Sequence, residues 1–446
     1  MSGSVRGRFA TAVLTVLLAG AITVGGLALD GAGGRAPALV PVPPAADVPV
    51  GRGAAAGLAG TVAALQSRLR EQPGDWAGWA QLGAAYVEQA RTTGDPTRYP
   101  QAERALARSL ALRPHGNDAG LAGRAALAAA RHDFRAALRD ADAALAVNPY
   151  GERALAVRVD ALVELGRYDA AAAAARHADT VRPGIPSFTR LAYVRELRGD
   201  TEGARRVLGQ ALRSAARPDD LAYVATALGH LARGQGHYTA ALRHYATALR
   251  AVPGHLPALE GQARTYAARG ELGTAARKLR EVVRRYPLPG PLAALGEVYE
   301  ARGERAAAAR QYALAATWVT LARANGVAVD LDTALVAADH GDRLAALRAA
   351  RAEWARRHTV HTADALAWAL HRTGRDREAL PYALRAASPG YRDAAFRYHR
   401  GMIERALGRD ADARRSLSAA LRLDPGFSPT GAAAARSALA ALEAGR

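Results

Sequence analysis

A regularly spaced glycine constrains this 446-residue chain more than any other feature. It falls at Gly166, Gly199, Gly236, Gly270, Gly303, Gly341, Gly374 and Gly408, with separations of 33, 37, 34, 33, 38, 33 and 34. Five residues after each stands an alanine: Ala171, Ala204, Ala241, Ala275, Ala308, Ala346, Ala379 and Ala413. Seven residues before most of them stands another small residue: Ala192, Gly229, Ala263, Gly296, Ala334, Ala367 and Gly401, with Val159 departing. Twelve residues after the alanine, proline recurs at Pro183, Pro253, Pro287 and Pro425. Each element has a mechanical reason. Two helices packed side by side need small residues where their backbones come closest. The glycine ends the first helix by taking a left-handed conformation at little cost. The proline stops the second, because it lacks an amide hydrogen and clashes with the preceding turn. A helical pair this short cannot bury its apolar face alone, so neighbouring pairs must stack on it.

Composition agrees. Half the chain is hydrophobic but only 6% is aromatic, so alanine and leucine carry the apolar content and favour helix. Cysteine is absent, which removes disulfides, thiolate metal sites and cysteine nucleophiles. Two further copies precede the glycine series. In one, Ala137 and Pro149 keep the twelve-residue gap while His132 replaces the turn glycine; in the other, Ala102 and Pro114 keep it. There Tyr86 lies 16 residues before the alanine, whereas Tyr266 and Tyr299 lie nine before theirs. Seven extra residues around "TTGDPTRYP" are therefore expected to bulge from that turn, as a surface loop or a functional insertion.

The offsets, together with "WAQLGAAY" (Trp79, Leu82, Gly83, Tyr86), "ALGEVYEARG" (294 to 303) and "GHYTAALRHYATALRAVP" (236 to 253), resemble the tetratricopeptide repeat. The resemblance implies an all-α chain, a right-handed α-solenoid of about ten helix-turn-helix repeats over residues 76–427. A leading helix is expected over 58–75 and a capping helix over 428–446. Longer spacings after Gly199 and Gly303 imply an extended second helix or loop, and the degenerate copies around 327 to 359 allow the superhelix to bend or break.

Residues 1–30 read as a signal-anchor or a signal peptide. Arg6 and Arg8 precede Phe9–Leu29, 21 positions without charge, which as a helix span roughly 31 Å, about a bilayer's hydrocarbon thickness. The arginines should stay cytoplasmic and send the rest across. A later small-x-small site, Ala36-Pro37-Ala38, suits cleavage. Residues 31–57 are a Gly/Ala/Pro linker. The expected location is the cell membrane with the array outside the cytoplasm, or outside the cell if the leader is cut.

In the family, the first helices line a concave groove that receives peptides or partner helices. The residue after each packed small residue is rotated by about 100° and should face that groove. This column holds Asp160, Tyr193, His230, Arg264, Glu297, Leu335, Trp368 and Met402. One turn later Arg233, His371 and Arg405 join the face, and Tyr398 lies on it one turn earlier. Aromatic and arginine side chains are common binding hot spots. The alternative for each aromatic is packing between repeats. The mixed chemistry argues against a nucleic-acid backbone as ligand. Family members that clamp a peptide's terminal carboxylate use groove lysines and asparagines, a combination missing here.

No nucleotide, nucleophile-elbow or zinc-protease motif occurs. His230, His237 and His244 are interrupted by Gly236, "ADHGD" (338 to 342) reads as a solvated turn, and His358 and His361 lack partner ligands at useful spacing. No cofactor, metal or enzymatic activity is expected. The net charge of +19 comes almost wholly from arginine, Lys278 being the one lysine. It is either compositional or a selected affinity for anionic envelope polymer or lipid. The leading expectation is a non-catalytic envelope scaffold holding a protein or peptide partner in the groove. "RLREQPGDWAGWAQLGAAY" also resembles the opening of repeat modules in bacterial cytochrome c maturation factors, which implies an assembly factor.

Overall fold

The computed structural model describes residues 53–93 and 95–444. The apolar span Phe9–Leu29 and residues 31–52 of the expected linker lie outside the described residues. Among those described, no helix is long and apolar enough to cross a membrane.

A first helix, α1 (Gly53–Glu71), is followed by ten helical pairs. The first five pairs are α2 (Trp76–Thr93) with α3 (Tyr99–Leu112), α4 (Asp118–Ala130) with α5 (Phe134–Val147), α6 (Glu152–Glu164) with α7 (Tyr168–Val181), α8 (Ile185–Leu197) with α9 (Thr201–Ser214), and α10 (Pro218–Gly234) with α11 (Tyr238–Ala251). The next five are α12 (Leu256–Ala268) with α13 (Leu272–Arg285), α14 (Pro289–Ala301) with α15 (Arg305–Ala324), α16 (Asp330–His340) with α17 (Arg343–Arg356), α18 (Val360–Arg372) with α19 (Asp376–Ala386), and α20 (Ala394–Ala406) with α21 (Asp410–Leu423). A last helix, α22 (Gly431–Ala444), packs on α20 and α21. No strand occurs among the described residues. The chain is all-α, with stacked helical hairpins.

The spaced residues sit where the packing argument needs them. Ala241, Ala308 and Ala413 are 0%, 2% and 0% exposed. A β-carbon on Gly229 or Gly296 would come within 2.4 Å of the ring of Tyr245 or Tyr312, so only glycine admits those rings beneath the first helix. Most turn glycines are left-handed, as at Gly166 (φ 73°) and Gly303 (φ 81°). His132 takes the same conformation (φ 62°), the only non-glycine among the described residues to do so. Gly341 does not, since α16 ends through an extended residue there.

Four expectations are refined in detail, while that of an extended second helix after Gly303 is met. Helix α1 begins at Gly53, inside the stretch read as linker, because the alanines after it favour helix. The long spacing after Gly199 is taken up by a 17-residue first helix, α10, while that after Gly303 lengthens the second helix, α15, to 20 residues. The degenerate region does not break the array: α16 packs on α14 and α18, and one apolar core runs from Leu331 to Leu442. The insertion near residue 95 extends α2, forms a tight turn at Pro96–Arg98, and brings Tyr99 against Tyr286, Leu288 and Trp318.

That last contact belongs to a series. Successive turns of the superhelix touch. Tyr286 Oη donates to Arg91 O at 2.8 Å, across 195 residues. Ala328 N donates to Arg131 O at 3.3 Å, and Ala328 O lies 2.7 Å from His132 Nδ1. Val360 N donates to Tyr168 Oη at 2.8 Å. Tyr238 Oη donates to Asp424 and accepts from Gly426 N at 2.9 Å, across 188 residues. A separation near 190 residues on a period near 34 gives roughly five to six repeats per superhelical turn. The hairpins α2–α11 thus form one layer and α12–α21 a second, and the hairpin turns of the first meet the inter-repeat loops of the second. A buried ion cluster ties them further, with Arg357 between Glu164 of the first layer and Glu353 of the second.

Candidate partner-binding surface

The first helix of each pair lines the inside of the superhelix, and the groove column falls there under different conditions from repeat to repeat. Asp160 accepts from Arg190 Nε and Nη2 at 2.9 and 2.7 Å. Burial raises the Asp160 carboxyl above its usual range, against the pull of Arg190. Tyr193 is half-buried in a cluster with Tyr391 and Phe396 of the second layer. His230 keeps exposed surface, yet its Nδ1 lies 2.9 Å from Tyr245 Oη. Surrounding protein, then Arg233 and Arg264, push its pKa down to about 3, so it stays neutral.

Arg264 donates to Glu260 at 2.8 Å and to Gly290 O at 3.1 Å. Glu297 is raised by burial and meets Ser428 Oγ at only 3.4 Å. Leu335 is exposed. Trp368 is 4% exposed, stacks on His399 and His371 at 4.1 and 4.9 Å, and donates to Asp339 at 3.0 Å. His371 is bonded to Asp376. Tyr398 is 8% exposed and sits 5.4 Å from the ring of Phe427. Met402 packs half-buried on the same core, and Arg405 is exposed.

The column is therefore not one continuous open face. Trp368, His371, Tyr398 and Met402 gather in one aromatic core of the second layer, where packing between repeats accounts for Trp368 and Tyr398. His230, Arg233 and Arg264 form a separate group near one another. Asp160 stands apart with Arg190. The tight superhelix is the cause: a small radius turns neighbouring first helices toward one another. Of the histidines weighed for metal, His358 lies tilted against Trp354 at 4.2 Å and His361 lies 5.6 Å from Phe396, its pKa lowered to about 4 by burial. No metal-holding group of side chains occurs among the described residues.

Two carboxylates on this face escaped the sequence reading. Glu196 and Glu300 occupy the offset that gave Arg233 and His371, three residues after the column, so the signal was present. Glu196 faces Asp393, the cap of α20, with Arg233 and the Tyr193 and Tyr391 rings around them. Burial, then Asp393, raises the Glu196 pKa to about 7. Outside the interior, Arg397 has its pKa lowered by burial and by Arg392, Arg422 and Arg400.

No protein-family model matches this chain. No curated protein matches it either. Among solved structures, it is similar to PilW, a type IV pilus biogenesis factor, at 22% identity over 44% of this chain and 90% of that one, with a TM-score of 0.38. A tetratricopeptide repeat protein from Parabacteroides merdae shares 18% identity over 58% and 98%, with a TM-score of 0.34. Human IFIT1, solved with m7Gppp-AAAA, shares 15% over 70% and 71%, with a TM-score of 0.45. The partners of those proteins remain theirs.

Proposed function

We propose that this chain is a non-catalytic scaffold of the cell envelope, tethered or exported by its amino-terminal segment, that holds a segment of a partner protein along the inside of its superhelix. One observation carries the reading. The hairpin turns of the second layer at Gly303, Gly374 and Gly408 face open space, whereas those at Gly166, Gly199 and Gly236 are covered by backbone of the second layer, and the turn before Gly270 meets Gly426 through the Ala268 carbonyl. One end of the superhelix is thus an uncovered rim, and charged groups that are not core residues, Arg264, Glu297 and Arg405 among them, lie just inside it. The partner enters there rather than from the side, where the layers meet.

Capture from envelope extracts tests this. The variant Arg264→Ala, Arg405→Ala changes charged side chains that keep exposed surface, unlike Trp368, which is a buried packing residue. Loss of captured partner is expected; equal capture by variant and parent removes the rim from the account. A second reading, docking to anionic envelope polymer or lipid, is favoured by the arginine group around Arg397. Retention on anionic vesicles that is unchanged in strong salt would exclude it.

A further inference from the structure

The fifth and seventh repeats use one scaffold for opposite charges. In the fifth, Tyr245 lies beneath Gly229, and its hydroxyl reaches the inner face at His230 and Arg233. In the seventh, Tyr312 lies beneath Gly296 in the same way, but the corresponding residues are Glu297 and Glu300. Tyr312 is 8% exposed, and its Oη, directed at Glu300, makes no hydrogen bond of normal geometry. Among the described residues two cation-capable groups act here: His340, stacked on the Tyr312 ring at 4.0 Å with Nδ1 3.4 Å from Glu300, and Arg264, which acts on Glu297. A buried hydroxyl that lacks a well-formed hydrogen bond is unfavourable and is a group able to bind a ligand.

The surroundings of that hydroxyl are negative. Helix α14 ends at Ala301 and α16 at His340, so two carboxyl-terminal helix ends, each carrying roughly half a negative charge, flank the two glutamates. Asp339 beside them is already engaged by Trp368 and Arg372, and Arg264 by Glu260. Access is open: Glu300 is 33% exposed and lies three residues before Gly303, on the uncovered rim.

Resting on the scaffold reading above, we propose that Glu297, Glu300 and the Tyr312 hydroxyl form a recess that receives a basic side chain, an arginine, of the partner segment. A guanidinium offers five donors in a planar fork, enough to bridge both carboxylates and the phenol oxygen, which a compact ammonium cannot do as well. The partner is thereby a segment carrying arginine, not an acidic one.

Fluorescence anisotropy with a labelled tetra-arginine peptide and its tetra-citrulline counterpart, on the full chain, tests this. Binding of the arginine peptide alone is expected. Glu297→Gln with Glu300→Gln should weaken it at least about tenfold, charge-assisted bonds being the strong ones. Tyr312→Phe, nearly isosteric and keeping both charges, should weaken it about two- to fivefold. Glu103→Gln with Glu202→Gln, on outer surfaces, should leave it unchanged. Unaltered affinity in the Glu297/Glu300 variant, equal binding of the citrulline peptide, or an equal loss in the Glu103/Glu202 variant overturns the proposal. The outcomes separate from the scaffold test: partner capture without arginine binding defeats the recess alone, and arginine binding without rim-dependent capture defeats the scaffold alone.

Discussion

Gly166 lies against the carbonyl of His358 so closely that a β-carbon there would sit 2.2 Å from the oxygen. The two residues belong to different turns of the superhelix, and their contact defines the molecule more than any single hairpin does. Gly303 has the same left-handed conformation but nothing within 4 Å. Substituting alanine costs about 1–2 kcal/mol at either position from backbone strain alone. At Gly166 it must also push the layers apart, at about 1–3 kcal/mol more. Gly166→Ala should therefore lower the urea midpoint clearly further than Gly303→Ala. Equal shifts would mean that the layers do not touch.

Arg357 sits between Glu164 and Glu353, all three buried. Arg357→Met removes the cation of Glu164, while Glu353 keeps Arg356, and is expected to cost about 3–5 kcal/mol, as removal of one member of a buried pair does. Replacing all three by apolar residues of similar volume should recover most of that loss. Recovery in equilibrium unfolding would assign the cluster to register between layers rather than to net stability.

Glu196 introduces a pH dependence of defined sign. Its folded pKa, about 7, stands above the ordinary glutamate value because burial and Asp393 disfavour the charge. The stability it contributes is full below the unfolded pKa and is lost as pH rises through the folded one. Stability should fall between about pH 4.5 and 7 by up to roughly 3 kcal/mol. Glu196→Gln should flatten that slope and raise the melting temperature at pH 8. A variant with the parent's slope would place the titration elsewhere.

The repeat arithmetic made the hairpins legible residue by residue, including the left-handed role of His132. The contact between layers was not read from it, since Gly166 and Gly303 occupy identical offsets and differ only in what the accumulated rotation of five repeats brings near. A faint signal exists. Two residues after the turn stand Phe134, Tyr168, Thr201 and Tyr238 in the first layer, against Leu272, Arg305, Arg343, Asp376 and Asp410 in the second. The aromatics mark three of the turns that meet another layer, the Gly199 turn doing so with Thr201: Tyr168 and Tyr238 bond across it, and the Phe134 ring lies 5.0 Å from the Arg357 guanidinium. Burial of Trp368 and Tyr398 was hidden for the same reason, because the superhelix radius is written in no single repeat.

The contact between layers is tested most directly by a distance. The chain has no cysteine, so spin labels at Arg198→Cys and Arg392→Cys report only the junction of Gly199 with Gly390, whose oxygen would lie 2.6 Å from a β-carbon on Gly199. Pulsed electron resonance should give one narrow distribution at the short end of its range. A long, broad distribution, as from an open superhelix whose turns stand apart, would contradict it.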